Sequence, residues 1–156
     1  MKYLEEPLTR PLVSVTKKYL SAFSEELKGL ELERYQLVLL RIDESGGQLT
    51  QKALANLLQI DKSFMVNIID YLSDRGYVTR EKNEKDRREQ LITLSVKAKK
   101  DIPVIRKAVR TLNAKSLKNL TQSQLETFTE VLNAIQLNLS DSPPNIFMDF
   151  KKIAVK

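Results

Sequence analysis

The tightest constraint in this sequence is how little chain separates two apolar-striped segments. Leu54, Leu57 and Leu58 mark the first, opened by Thr50; Met65, Ile68, Ile69 and Leu72 mark the second, opened by Asp61. Thr and Asp accept backbone N–H groups as N-caps, so each marks a helix start. Only the stretch from Leu58 to Asp61 lies between the two helices, too little for an ordinary loop. Two short helices with a tight turn make a helix-turn-helix. Gly76 stands where a C-terminal glycine lets the chain turn away from the second helix. The period then changes. Tyr77 to Glu81 and Gln90 to Leu94 are rich in β-branched and aromatic residues and flank the polar tract Lys82, Asn83, Glu84, Lys85, Asp86, Arg87 and Arg88. Two strands around a charged, exposed tip read as a β-hairpin. Directly after a helix-turn-helix, such a hairpin is a wing.

Helical period continues on both sides. From about Pro11 to Leu27, apolar residues fall at Leu12, Val15, Tyr19, Phe23 and Leu27, spaced 3, 4, 4 and 4, with Gly29 as the stop. A second helix is expected from Leu32 to Glu44, with Leu32, Tyr35, Val38, Leu39 and Ile42 on one face and Ser45, Gly46 and Gly47 ending it. Ser95 caps a long helix running to about Lys118; Pro103 inside it predicts a kink or a restart. Thr121 and Gln124 fit a capping box. The helix they open carries Leu125, Phe128, Leu132, Ile135 and Leu139, spaced 3, 4, 3 and 4. Pro143-Pro144 cannot continue it, and the apolar patch Ile146, Phe147, Met148 and Phe150 either docks on a partner subunit or is disordered. The expected fold is therefore mainly α with a small β-hairpin: a winged helix-turn-helix domain at 32–95, flanked by helices at 8–28 and 96–156.

These flanking helices are surplus to the winged lobe, and their apolar faces need covering. Packing inside the monomer is one way; a symmetric homodimer is the better one, because it gives each copy a partner.

Composition narrows the function classes. The chain has 156 residues, about one domain's length. It has no cysteine and no histidine, so thiol chemistry is excluded and the commonest metal ligand and general base are missing. No catalytic residues, metal or cofactor are expected. A hydrolytic enzyme would need a carboxylate pair or a Ser–Lys dyad, and no spacing points to one. No apolar run reaches the ~20 residues that span a bilayer, and MKYLEEPLTRP lacks a signal peptide's basic start and apolar core; a cytoplasmic location without a membrane partner is expected. The net charge is +6, an excess that favours an anionic partner.

On the second helix of the helix-turn-helix, Lys62, Ser63, Phe64, Asn67 and Tyr71 fall on the outer face. In a recognition helix, N-terminal residues meet base edges in the major groove. Asn67 can pair with adenine, Lys62 can reach guanine or a phosphate, and Phe64 can touch a thymine methyl or belong to the core. Arg87 and Arg88 sit at the hairpin tip, where arginine enters narrow minor grooves, and Asp86 would orient an arginine through a charge-assisted hydrogen bond. Tyr19, Phe23 and Tyr35 are candidates to line an effector pocket, with core packing as the plainer reading.

The chain resembles the multiple-antibiotic-resistance regulator (MarR) family from about Pro11 to Leu139 in element order and length. The marks are L-T-Q at Leu49 to Gln51, L-A at Leu54-Ala55, D-x-S at Asp61 to Ser63, R-G-Y-V at Arg75 to Val78, and D-R-R at Asp86 to Arg88. The resemblance implies a dimeric winged-helix transcription factor on a palindromic operator in double-stranded DNA. It also implies that the helix opening at Asp61 reads the major groove, that Arg88 enters the minor groove, and that a small lipophilic or phenolic effector releases DNA from a repressor. Three positions depart from the family pattern: Gln59 stands where glycine is usual in the turn, Asn67 replaces a frequent arginine, and Ala98 stands where a glycine often follows the wing. The lack of cysteine and histidine argues against oxidation or metal sensing. A rival reading is a winged-helix protein-interaction module without specific DNA binding; intact Lys62, Asn67, Arg87 and Arg88 argue against it.

Overall fold

The computed structural model describes residues 5–84, 86 and 88–141. Six helices and one hairpin follow in the order α1 Thr9–Glu26, α2 Gln36–Glu44, α3 Gln51–Leu57, α4 Lys62–Asp74, β1 Val78–Lys82, β2 Gln90–Leu94, α5 Val96–Ser116 and α6 Gln122–Asn138. The mainly α architecture and the helix-turn-helix with its wing are those the sequence implies.

Local capping sets most boundaries. The hydroxyl of Thr50 accepts the Ala53 N–H at 3.1 Å, and Ser95 accepts that of Ala98 at the same distance. Thr121 and Gln124 form the complete reciprocal box at the start of α6. One boundary differs from expectation: α2 begins at Gln36, not Leu32. Tyr35 is left-handed at φ 64° and breaks the helical path. Leu32 nevertheless stays buried in the core, from the non-helical segment ahead of α2.

The turn between α3 and α4 closes as a Schellman motif, with Ile60 N–H donating to the Ala55 carbonyl at 2.9 Å and Gln59 N–H to that of Asn56 at 3.2 Å. α4 ends the same way, through Tyr77 N–H to Leu72 and Gly76 N–H to Ser73, both at 2.8 Å. The motif requires one left-handed residue. Gly76 occupies that position at φ 71° without steric cost, whereas Gln59 holds it at φ 51°. Left-handed backbone costs a residue with a Cβ roughly 1–2 kcal/mol, and glycine's extra unfolded-state freedom returns up to about 1 kcal/mol of that. Gln59→Gly is accordingly expected to stabilise the protein by about 0.5 kcal/mol, read as a rise in the urea midpoint at unchanged slope.

β1 and β2 pair antiparallel with Val78 opposite Leu94 and Arg80 opposite Ile92. The hairpin is tied to the lobe by Ile92 N–H donating to the Leu49 carbonyl at 2.9 Å. Gly47 lies against this strand so closely that a Cβ there would meet Thr93 Cγ2 at 3.0 Å.

α5 is one helix with Pro103 inside it. Of the expected kink or restart, the restart does not occur: α5 runs on through Pro103, which is exposed, while Ala98, Ile102, Ile105, Ala108 and Leu112 hold the opposite face in the core. α5 packs on α1 and α2. Polar ties add to this: Arg106 Nη2 donates to Asp43 Oδ2 at 2.7 Å, Lys97 Nζ to Glu31 Oε1 at 2.8 Å, and the Tyr77 hydroxyl to Asp101 Oδ2 at 3.1 Å. Burial, with the Asp101 carboxylate adding to it, pushes the Tyr77 hydroxyl up to about 12. One apolar cluster thus joins α1, α2, α3, α4, the hairpin and α5.

α6 stands apart. None of its residues is buried, and it packs extensively on no other element among the described residues. Leu125, Leu132 and Ile135 are half-buried; Phe128, Val131, Leu137 and Leu139 are exposed.

Candidate nucleic-acid interface

The face of α4 turned outward follows from the face turned in. Met65, Ile68, Ile69 and Leu72 are buried, so the helical period leaves Lys62, Ser63, Val66, Asn67 and Asp70 exposed on the other side. The first turn is held by Asp61, whose carboxylate accepts Ser63 N–H at 2.8 Å, Phe64 N–H at 3.2 Å and the Ser63 hydroxyl. These bonds, the Ser63 hydroxyl first, hold the Asp61 carboxyl below the usual aspartate range. The Ser63 hydroxyl thus spends its proton on the cap and offers lone pairs outward.

Phe64 and Tyr71 turn away from this face. Phe64 is half-buried, edge-on to the Tyr35 ring with centroids 6.4 Å apart, and Tyr71 meets Tyr35 at 5.2 Å in the same geometry. Arg75 lies over the Tyr71 ring, 3.7 Å from its centroid. The rotation places Phe64 beside the core, at the edge of the outward face rather than among Lys62 and Asn67.

Gln51, Lys52, Lys62, Ser63 and Val66 line a shallow cleft of about 370 Å³ where the first turns of α3 and α4 meet. Gln51 and Lys52 escaped the sequence reading. The available signal was their place in the first turn of the leading helix of the motif, the helix that crosses the nucleic-acid backbone.

At the hairpin tip, Arg88 is 91% exposed and reaches back to Asp86. Its Nε donates to Asp86 Oδ1 at 3.3 Å and its Nη2 to Oδ2 at 3.4 Å, while its backbone N–H donates to Oδ1 at 3.0 Å. The backbone bond, followed by the guanidinium, holds the Asp86 carboxyl below its usual range. Arg87 lies outside the described residues, as does the patch Ile146 to Phe150.

The three aromatic effector candidates are not brought together. The Tyr19 hydroxyl donates to Asn113 Oδ1 on α5 at 2.6 Å, Phe23 is buried in the core, and Tyr35 packs against α4. Burial pushes the Tyr19 hydroxyl up. None of the three lines the cleft between α3 and α4, or a second shallow one along α1 formed by Thr9, Arg10, Val13, Ser14 and Lys17. Among the described residues no group of three potential metal ligands occurs, and no helix is long and apolar enough to cross a membrane.

A tight helix-turn-helix, an outward second helix and an arginine-tipped hairpin define the winged helix-turn-helix class. The model of the MarR family matches residues 29–89, the lobe just described. The fold is that of a MarR-family transcriptional regulator from Listeria monocytogenes solved in complex with a 26-mer DNA: 24% identity over 97% of both chains, TM-score 0.80. A cysteine-to-serine mutant of MarR from E. coli, solved with operator DNA, is 26% identical over 83% of this chain and 93% of its own, TM-score 0.75. A MarR transcriptional regulator from Methanosarcina mazei Go1 is also 26% identical, over 82% and 93%, TM-score 0.68. The winged lobe thus matches the MarR family model, and the chain shares its fold with MarR-family regulators well beyond that lobe.

Proposed function

We propose that the chain acts as a cytoplasmic homodimer that binds a palindromic operator in double-stranded DNA and represses nearby genes. One observation carries the reading: the exposed face of α4 and the exposed Arg88 of the wing lie on elements locked to one core. Each lobe, residues 32–95, would lay α4 in the major groove with Lys62, Ser63 and Asn67 on base edges and the open edge of Phe64 towards a thymine methyl. Ser63, with its proton committed to Asp61, suits a base donor such as an exocyclic amine. Asp86 presents Arg88, and Arg87 beside it, to the flanking minor groove. Segments 8–28 and 96–156 would form the dimer, spacing the two lobes about one helical turn (~34 Å) apart. The unburied seam of α6 supports that assignment. Release by a small lipophilic or phenolic effector would act as a population shift, the ligand preferring a dimer with the wrong lobe spacing. Tyr19, tied to α5, and Tyr35, tied to α4, stand on the two sides of such a movement, and Phe23 would sense it from the core.

The test is a fluorescence-anisotropy titration of wild type and Arg88→Ala against DNA from upstream of the chain's own gene, at two salt concentrations. Expected are saturable binding in excess over scrambled duplex and a loss of about tenfold on removing Arg88, in the 1–3 kcal/mol range of a specific contact. Equal, salt-sensitive binding to any duplex, indifferent to Arg88, would instead point to a protein partner.

A further inference from the structure

The hairpin carries one side chain that its strand period does not explain. Side chains alternate across a strand. Val78, with Leu94 and Ile92 on the facing strand, is buried on the core side of the wing. Arg80 follows Val78 by two residues and opposes Ile92, so it sits on that same side, where an apolar residue is the rule. Its side chain is only 29% exposed, and its Nη2 donates to Oδ1 of Asp70 on α4.

Asp70 is itself out of place. It lies three residues beyond Asn67 and seven beyond Ser63, on the outward face of α4. A carboxylate there faces the phosphates it would repel. Arg80 neutralises it and, in doing so, ties the wing to the helix. The other face of the hairpin is braced: Thr79 donates to Thr93 Oγ1 at 2.8 Å, and Thr93 donates to Glu81 Oε1 at 2.8 Å. A stiff hairpin transmits any restraint at Arg80 to the tip that carries Arg88.

We propose that Asp70 and Arg80 form a clamp that sets the angle between α4 and the wing, so that both elements enter their grooves in one register. The inference rests on the DNA-binding reading above. Arg80 is a positioning residue whose guanidinium is spent on Asp70 rather than on a phosphate. Charge alone and the clamp predict opposite results: deleting an acid from a DNA-facing helix should tighten binding, whereas the clamp makes the same deletion weaken it.

The experiment uses the full chain and a duplex that the wild type selects from a randomised pool. Asp70→Asn and Arg80→Gln are each expected to weaken binding to that duplex about tenfold, and the double variant no further, since both remove one shared interaction. The slope of log affinity against log salt should match wild type in Arg80→Gln, because no phosphate contact is lost. Hydroxyl-radical protection at the wing-contacted flanks should fade while purine protection under α4 persists. Asp70→Asn binding as tightly as wild type or tighter, or losses that multiply in the double variant, would overturn the clamp. So would a salt slope shallower by about one with flank protection intact, which would make Arg80 a phosphate contact. Should Arg80→Gln fail to fold, Arg80→Lys keeps the stem and charge but not the fork; loss of flank protection there supports the clamp and full protection overturns it. If the wild type selects no site, the DNA-binding reading itself falls.

Discussion

If the proposed homodimer forms through α6, replacing Phe128 and Leu132 by glutamate is expected to leave a folded monomer and to lower affinity for a two-half-site operator by roughly 10²–10⁴-fold. Phe128 is 56% exposed and Leu132 only half-buried, so neither substitution forces a charge into the monomer's core, and helical circular dichroism should be retained. In a dimer the same positions lie on an apolar seam, and four carboxylates facing one another across a two-fold axis would be desolvated without partners. Losing the dimer separates the two lobes, and binding at the second half-site ceases to be intramolecular. Light scattering coupled to size exclusion reads the first effect and anisotropy on one-half-site and two-half-site duplexes the second. A variant that stays dimeric would move the interface elsewhere; a monomer that binds both duplexes like wild type would remove the two-half-site reading.

Asn67→Ala is expected to cost about 1–3 kcal/mol, roughly 5- to 150-fold, at one base pair of each half-site while leaving binding to unrelated DNA unchanged. Asn67 is exposed in the second turn of a helix whose opposite side is sealed by Ile68 and Ile69, so removing its amide does nothing to the core. The measurement is affinity for a panel of duplexes substituted at each position. A loss spread evenly over all of them would mean that Asn67 touches backbone rather than a base edge. Lys52→Ala, on the leading helix that crosses the backbone, offers the contrast, because loss of an ammonium from a phosphate weakens every sequence alike and makes the salt slope shallower by about one.

Much of this molecule was legible one residue at a time, and the reason is range. Thr50, Asp61, Ser95 and Thr121 cap helices through bonds that span two or three residues, so their meaning does not wait for the rest of the chain. Gly76 answers a purely local demand for positive φ. The buried stripe of α4 and the strands after it follow from a period of 3.6 giving way to a period of 2.

Where the reading slipped, a remote contact decided. Leu32 keeps helical spacing with Val38 and Leu39, yet Tyr35 adopts a left-handed backbone and its ring packs against Phe64 and Tyr71 on α4. Tyr71, expected on the outward face, lies at its flank, where its ring meets Tyr35. Pro103 predicts a kink or a restart, and the packed stripe of Ile102, Ile105 and Ala108 carries α5 through it without a restart. For the candidate site, Lys62, Ser63, Asn67 and Asp70 share a face that the period gives, and Gln51 and Lys52 have their place in the leading helix, while the pairing of Asp70 with Arg80 was not readable. Nothing near Arg80 in the chain says that its partner lies ten residues back, across a helix terminus and a turn.

By itself the sequence determined where the four side-chain-capped helices start, which stripe of each is apolar, and that two short helices and a hairpin follow in the order of a winged helix-turn-helix. Caps, left-handed turns and hydrophobic period act over a few residues, so they are written in adjacent letters. Only the tertiary structure decided that Tyr35 leaves the helical path, which charges meet across elements, and that α6 leaves its seam uncovered. Those outcomes depend on packing between segments distant in the chain, where burial and ion pairing are settled by geometry that no local pattern encodes.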